Sequence, residues 1–162
     1  MFSIISALVE NKPGVLFRLT NMIRARNFNI DSLSVGPTEH SDLSRITITM
    51  DQDEHMINQL VKQMGKLIDI VEITRLDINN TVYRELALIK VKIKGREERT
   101  EIINLTNIFR GKIIDISKNS IMIEITGTKD KIDAFIGLIK EYNIVEMART
   151  GITALARGVK SE

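Results

Sequence analysis

A possible anion-binding site lies where a short apolar run meets an amphipathic stretch, at Asn11-Lys12-Pro13-Gly14-Val15-Leu16. Pro13 suits the first position of a helix, because its ring fixes φ and it has no N–H to leave unpaired. The N–H groups of Gly14, Val15 and Leu16 would then lack intrahelical partners, at the positive end of the helix dipole. Such a helix start favours a carboxylate or a phosphate. The same residues also fit an ordinary strand-to-helix turn.

Asn29 follows the far end of the same predicted helix, which runs from Pro13 to about Arg26. The amide oxygens of Asn11 and Asn29 could accept from the ammonium group of a free amino acid whose carboxylate binds the helix start. The helix would be about 20 Å long at 1.5 Å per residue, so one chain could hardly place both asparagines on one small ligand. Two chains related by a two-fold axis could do so. The alternative for Asn29 is an ordinary turn residue.

The elements that would position these residues follow from hydrophobic periodicity. Residues 1–78 predict the order strand, helix, strand, strand, helix, strand, and the same order recurs over residues 83–162 after a polar linker at residues 79–82. We therefore predict an α+β protein of two tandem ferredoxin-like βαββαβ units, each an antiparallel sheet with both helices on one face. The other face of each sheet lacks a helix, so packing on that face or pairing between chains is expected.

The composition argues against nucleic-acid and membrane partners. A formal net charge of +2 from 23 basic and 21 acidic residues gives no extended positive field, and five phenylalanines and two tyrosines offer little base stacking. No apolar run reaches the roughly 18 residues of a membrane span, and the first residues lack the basic region of a signal peptide. Cysteine is absent, which excludes disulfides and thiolate metal sites. We expect a cytoplasmic protein.

Residues that could support catalysis or bind a metal do not form a recognisable set in the sequence. His40 and His55 have no partners at metal-ligand spacing, so both are predicted to be surface residues. Asp53 is better explained as the N-cap of a helix. A row of three lysines on one strand fits a solvent-facing surface, at Lys90, Lys92 and Lys94. We predict no catalysis, no metal and no cofactor in this chain.

Motifs along nearly the whole chain resemble one family. They are Asn11-Lys12-Pro13-Gly14-Val15-Leu16, Asn29-Ile30-Asp31-Ser32-Leu33, Val35-Gly36-Pro37-Thr38, Leu43-Ser44-Arg45, Phe109-Arg110-Gly111-Lys112-Ile113-Ile114-Asp115, Gly127-Thr128-Lys129-Asp130-Lys131-Ile132-Asp133-Ala134-Phe135 and Ala148-Arg149-Thr150-Gly151. Together they resemble the small regulatory subunit of acetolactate synthase. The motifs of the second half make the resemblance more specific than one to amino-acid-sensing ACT domains in general, which covers only the first half.

The resemblance implies an ACT domain over residues 1–78 and a C-terminal ferredoxin-like regulatory-subunit domain over residues 83–162. It implies a homodimer that binds valine between two ACT domains. The implied valine-binding residues are Asn11, Lys12, Pro13, Gly14, Val15 and Leu16 of one chain with Asn29 and Ile30 of the other. It also implies a catalytic large subunit that uses thiamine diphosphate, Mg and FAD. This chain, itself non-catalytic, would activate that subunit and make it sensitive to branched-chain amino acids.

Two other functions are compatible with tandem βαββαβ units. One is a stand-alone ACT-type amino-acid sensor that acts on a transcriptional or transport partner. The other is an RNA-binding module, which would need aromatic side chains on its middle strands. Isoleucines occupy those strands instead, at Ile46, Ile48, Ile121 and Ile123.

Overall fold

The structure, a computed structural model, describes residues 1–158 and contains the predicted βαββαβ order twice. This confirms the α+β class and the tandem ferredoxin-like arrangement. One unit consists of Met1–Val82 with residues 151–158, and the other of Tyr83–Thr150. The domain bounds predicted from the sequence differ, with a linker at residues 79–82 and residues 151–158 in the second domain. Residues 159–162 of that predicted domain lie outside the described residues.

The first unit contains one four-stranded antiparallel sheet in the order β2-β3-β1-β4. Its elements are β1 (Phe2–Glu10), α1 (Val15–Ala25), β2 (Ser32–Pro37), β3 (Leu43–Asp51), α2 (Glu54–Met64) and β4 (Ile70–Leu76). The apolar stripes of both helices pack against one face of the sheet, around Ile5, Ile48 and Leu60. Asp53 caps α2 as predicted, because its Oδ1 accepts from the N–H of Met56 at 2.8 Å.

The second unit repeats this sheet in the order β6-β7-β5-β8. Its elements are β5 (Thr81–Lys92), which begins in the first unit after a 3₁₀ turn, α3 (Arg96–Ile108), β6 (Lys112–Ile116), β7 (Ser120–Gly127), α4 (Lys129–Ile139) and β8 (Asn143–Arg149). Its core lies between the helices and the sheet, around Ile89 and Ile102. The rings of Phe109 and Phe135 meet edge to face at 5.3 Å, which fixes the end of α3 against α4.

A strand that the sequence did not predict, β9 (Thr153–Ala156), explains why residues 151–158 belong to the first unit. β9 pairs with β5. Just before β9, Ile152 accepts from Ser34 Oγ at 3.0 Å and donates its N–H to Ser32 Oγ at 3.3 Å. Gly151 lies so close to β2 that a Cβ there would meet the Leu33 carbonyl oxygen at 2.8 Å. The 151–156 segment thus covers part of the helix-free face of the first sheet.

Candidate functional site

Helix α1 begins at Val15, two residues later than the sequence predicted. Gly14 is the N-cap and has φ 86° and ψ −9°, a left-handed conformation that glycine adopts without steric cost. A residue in this conformation cannot be part of a right-handed helix, so Pro13 lies outside α1. The N–H of Val15 donates to the Lys12 carbonyl oxygen at 3.4 Å, and that of Arg18 donates to the Gly14 carbonyl oxygen at 3.0 Å.

Three backbone N–H groups at the start of α1 have no hydrogen-bond partner within residues 1–158, those of Gly14, Leu16 and Phe17. Gly14 and Leu16 are as predicted, whereas the predicted free N–H of Val15 is bonded and that of Phe17 was not predicted. No side chain caps this helix and its first turn contains no acidic residue. The free donors and the helix dipole therefore leave a position that favours an anion.

Arg18 and Asp69 form an ion pair beside this helix start. Arg18 Nε and Nη2 donate to the two carboxylate oxygens of Asp69 at 2.6 and 2.7 Å. A Cβ on Gly14 would lie 3.2 Å from Arg18 Nη1. The hydrogen bonds from Arg18 lower the pKa of the Asp69 carboxyl, although burial of its side chain opposes this. Arg18 and Asp69 are 51 residues apart, so no local sequence pattern indicates the pair.

Asn11 lies beside the helix start, where the loop between β2 and β3 positions it. Its N–H donates to the Asp42 carbonyl oxygen at 2.7 Å, and its Nδ2 donates to the Ser41 carbonyl oxygen at 3.1 Å. The amide oxygen of Asn11 has no partner within residues 1–158, so it can accept from an ammonium group. Lys12 is exposed, and its Nζ lies 2.9 Å from Glu10 Oε2.

The structure places Asn29 and Ile30 at the opposite end of α1 from Asn11. The eleven residues of the helix span about 16 Å at 1.5 Å per residue. Asn29 is exposed, whereas Ile30 is half-buried and packs against the first core. β2 begins at Ser32 rather than at Ile30 as predicted. One chain therefore brings Asn11 to Leu16 together and leaves Asn29 and Ile30 apart from them.

Comparisons with known proteins agree across both units. Residues 5–72 match the family model described as the AHAS small subunit-like ACT domain, and residues 84–158 match the model for the small subunit of acetolactate synthase. The chain is 49% identical to the probable acetolactate synthase small subunit of Archaeoglobus fulgidus, over 96% of this chain and 97% of that protein. The chain belongs to the family of acetolactate synthase small subunits.

Other small subunits extend this likeness to bacteria and to a solved structure. The Bacillus subtilis small subunit is 43% identical over 100% of this chain and 94% of that protein. The crystal structure of the Thermotoga maritima small subunit has a TM-score of 0.91 and 44% identity, and covers 98% of this chain and 99% of that one. The resemblance stated from the motifs is therefore confirmed, and the chain is a non-catalytic subunit of an enzyme complex.

An ion-pair cluster joins two of the motifs of this small subunit, the one that contains Asp133 and the one that contains Arg149. Arg149 Nε donates to Glu85 Oε2 at 2.7 Å, and Arg149 Nη1 donates to Asp133 Oδ1 at 2.6 Å. The Glu85 side chain is only 5% exposed, so Arg149 compensates a buried negative charge. These contacts connect β5, α4 and β8, which indicates a structural role in the second unit.

The residues considered as metal ligands do not cluster in this small subunit. His40 and His55 are both exposed, and His55 Nε2 lies 3.0 Å from Gln59 Nε2. Residues 1–158 contain no group of three or more His, Asp or Glu side chains arranged to bind a metal ion. Within the same residues, no helix is both long and apolar enough to cross a bilayer.

Proposed function

We propose that this small subunit binds valine at the start of α1 in a homodimer. The bound valine regulates a catalytic large subunit that uses thiamine diphosphate, Mg and FAD. The subunit activates that enzyme and makes it sensitive to feedback by branched-chain amino acids. The single observation that carries the proposal is the set of free N–H groups on Gly14, Leu16 and Phe17, beside the amide oxygen of Asn11. Asn11, Lys12, Pro13, Gly14, Val15 and Leu16 of one copy and Asn29 and Ile30 of the other form the proposed site.

The polar groups of an amino acid match this helix start. Its carboxylate accepts from the free backbone N–H groups, where the helix dipole provides positive potential. Its ammonium group donates to the Asn11 amide oxygen and to Asn29 of the second copy. Two residues provide apolar surface for an aliphatic side chain, since Leu16 is 42% exposed and Ile30 is half-buried.

The sheet topology supports a site shared by two copies. β1 and β2 both pair antiparallel with β3, so they run in the same direction and end at the same side of the sheet. Asn11 follows the end of β1, whereas Asn29 precedes the start of β2. β2 is an edge strand. If two β2 edges pair antiparallel, Asn29 of each copy comes to the side of the sheet that holds Asn11 and Gly14 of the other.

Such a site couples ligand binding to the geometry of the dimer. A ligand bound by both copies stabilises the arrangement in which both halves of the site meet. The catalytic large subunit responds if it binds the two arrangements with different affinity. This is the physical basis of the proposed feedback by valine.

Calorimetric titration of the full chain with valine, leucine and isoleucine tests the proposal, and Gly14→Asp is the informative variant. A carboxylate at position 14 competes for the free N–H groups and repels the ligand carboxylate, so valine affinity falls at least a hundredfold. Gly14 has φ +86°, which strains any L-residue. Gly14→Ala therefore measures the effect of strain without charge. The matched control is Gly95→Asp at the start of α3, where a Cβ meets nothing within 4 Å.

The same variants separate valine binding from assembly with the catalytic subunit. Reconstituted with a large subunit, Gly14→Asp should still activate the enzyme but lose inhibition by valine. Normal inhibition of that complex by valine would contradict the proposed site. Failure of the unmodified chain to associate with the large subunit would contradict the regulatory role and favour a sensor with another partner.

A further inference from the structure

Arg18, in the first turn of α1, has one nitrogen that its ion pair does not use. Nε and Nη2 donate to the two carboxylate oxygens of Asp69, whereas Nη1 forms no hydrogen bond within residues 1–158. Glu10 is the other carboxylate that acts on Arg18, and its Oε2 lies 2.9 Å from Lys12 Nζ. Both carboxylates therefore have a partner, and the two N–H groups of Nη1 remain available to an acceptor.

Nη1 of Arg18 lies close to the backbone nitrogen of Gly14. A Cβ on Gly14 would lie 3.2 Å from Nη1. A Cβ is about 2.5 Å from the nitrogen of its own residue, because two bonds of about 1.5 Å meet at Cα at a nearly tetrahedral angle. The Gly14 nitrogen and Arg18 Nη1 are therefore at most about 5.7 Å apart.

One carboxylate can accept from two donors within this separation. An N–H···O hydrogen bond is about 2.9 Å long, so the two oxygens of a carboxylate readily reach both nitrogens. The N–H of Gly14 has no partner within residues 1–158. Glycine at position 14 also keeps this space open, because a Cβ would occupy it. A carboxylate at the start of α1 can thus accept from the Gly14 backbone and from Arg18 together.

Asp69 holds the guanidinium of Arg18 in this position. The Asp69 side chain is only 7% exposed, and its carbonyl oxygen accepts from the N–H of Glu10 at 3.0 Å. Two parallel hydrogen bonds fix the plane of the guanidinium. Since Nε and Nη2 form the edge that contacts Asp69, Nη1 lies on the far side of the planar group. The ion pair carries little net charge, so Arg18 offers a directed hydrogen bond rather than a positive field.

We propose that Arg18 is a further valine-binding residue, which donates from Nη1 to the ligand carboxylate. Asp69 is a positioning residue that acts through Arg18. Both roles rest on the proposed function, because the ligand and the site are the same. A hydrogen bond from a guanidinium is stronger to a carboxylate than to a neutral acceptor. Arg18 therefore contributes to the preference for an amino acid over its neutral amide.

Calorimetric titration of the full chain with valine tests the role of Arg18. In Arg18→Gln, valine affinity should fall about tenfold, because one charge-assisted hydrogen bond is lost. The affinity for valinamide, the neutral isostere, should fall less. Arg18→Lys should not restore valine binding, since a single ammonium group lacks the fork that contacts Asp69 and the ligand from opposite edges.

Arg75→Gln is the matched control for the loss of a paired arginine. Arg75 also forms an ion pair in the first unit, with Glu54. It lies opposite Ile5 in the β1–β4 pairing, towards the other end of β1 from Asn11. This variant should lose stability but keep the valine affinity of the unmodified chain.

Two further measurements separate a contact with the ligand from an effect on stability. In ¹⁵N NMR spectra of the full chain, valine should shift the guanidinium signals of Arg18, which are identified by their loss in Arg18→Gln. Asp69→Asn should weaken valine binding by a smaller factor than Arg18→Gln does. Added to Arg18→Gln, it should weaken binding no further, because Asp69 acts only through Arg18.

The outcomes distinguish the role of Arg18 from the valine site itself. Absence of valine binding by the unmodified chain would contradict both proposals. Undiminished valine binding by a folded Arg18→Gln protein would overturn the role of Arg18 alone, and so would guanidinium signals that saturating valine does not shift. Full additivity of Arg18→Gln and Asp69→Asn would overturn the positioning role of Asp69.

Discussion

The two βαββαβ units of this small subunit begin their first helices differently. α1 starts at a left-handed Gly14, has no acid in its first turn and leaves three N–H groups free among the described residues. α3 follows an extended Gly95 with φ −167° and has two glutamates in its first turn. Glu98 Oε2 accepts from the N–H of Lys94 at 2.6 Å. The second unit therefore places carboxylates of its own at its helix start, where the first unit has none.

One arginine of each unit shows a second difference. Arg149 in the second unit is bound by Glu85 and Asp133, whereas Arg45 in the first unit has a single hydrogen bond to Ser6. The difference concerns these two residues and not whole units, because the first unit also contains paired arginines, Arg18 with Asp69 and Arg75 with Glu54.

The largest expected effect is the loss of stability on Arg149→Ala. This change leaves Glu85 buried without a counter-charge, and breaking a buried pair in this way costs about 3 to 5 kcal/mol. Arg45→Ala, the matched change in the first unit, should cost only about 1 kcal/mol, the value of one hydrogen bond. Urea unfolding of both variants measures the difference. Equal losses in the free energy of unfolding would show that Arg45 stabilises the fold as much as Arg149 does.

Gly151→Ala should cause the next largest loss of stability. It tests how closely residues 151–156 pack on the first sheet. A Cβ at position 151 would meet the Leu33 carbonyl oxygen at 2.8 Å, so the 151–156 segment must shift away from β2. Such overpacking costs about 1 to 3 kcal/mol. Gly137→Ala is the control, since a Cβ there meets nothing within 4 Å. Thermal unfolding and amide exchange of Ile152 follow the displacement, and an unchanged exchange rate would argue against it.

Giving α1 the acidic residue that α3 has at the same position should have a smaller effect, on valine affinity. Phe17, 71% exposed, occupies the same helical position in α1 as Glu98 does in α3. Phe17→Glu places a carboxylate where the ligand is proposed to bind, so valine affinity should fall about tenfold. Phe17→Gln removes the same aromatic surface without adding charge and should weaken binding less. Equal affinities of the Glu and Gln variants in calorimetry would contradict an anion site at this position.

Local patterns in the sequence predicted the elements well but not the contacts between distant residues. The hydrophobic periodicity predicted the order of helices and strands in both units. Asp53 was predicted as the cap of α2 because capping is a local interaction. The Pro13-Gly14 pair fits a helix start in two registers, and only the left-handed conformation of Gly14 distinguishes them. Two long-range contacts had no sequence signal. Arg18 meets Asp69 across 51 residues, and Ser34 meets Ile152 across 118.

The smallest expected effect concerns acid pH and the Arg18–Asp69 pair. Hydrogen bonding by Arg18 lowers the pKa of Asp69 in the folded protein. A carboxyl whose pKa falls on folding stabilises the folded state fully above its unfolded-state pKa, which is about 3.9 for aspartate. The contribution is lost as the pH falls through the folded-state pKa. Stability should therefore decline below about pH 4 in part because Asp69 takes up a proton.

Asp69→Asn isolates this contribution. The variant should be less stable than the unmodified chain at pH 6, and the difference should shrink as the pH falls below the ordinary aspartate pKa. Asp115→Asn in the second unit is the control, because Asp115 is exposed and forms no ion pair within residues 1–158. Urea unfolding at pH 6 and pH 3 gives both differences. If Asp69→Asn and the unmodified chain lost the same free energy of unfolding on acidification, the pair would not hold α1 against the sheet through charge. The open helix start would then depend on the backbone conformation at Gly14 alone.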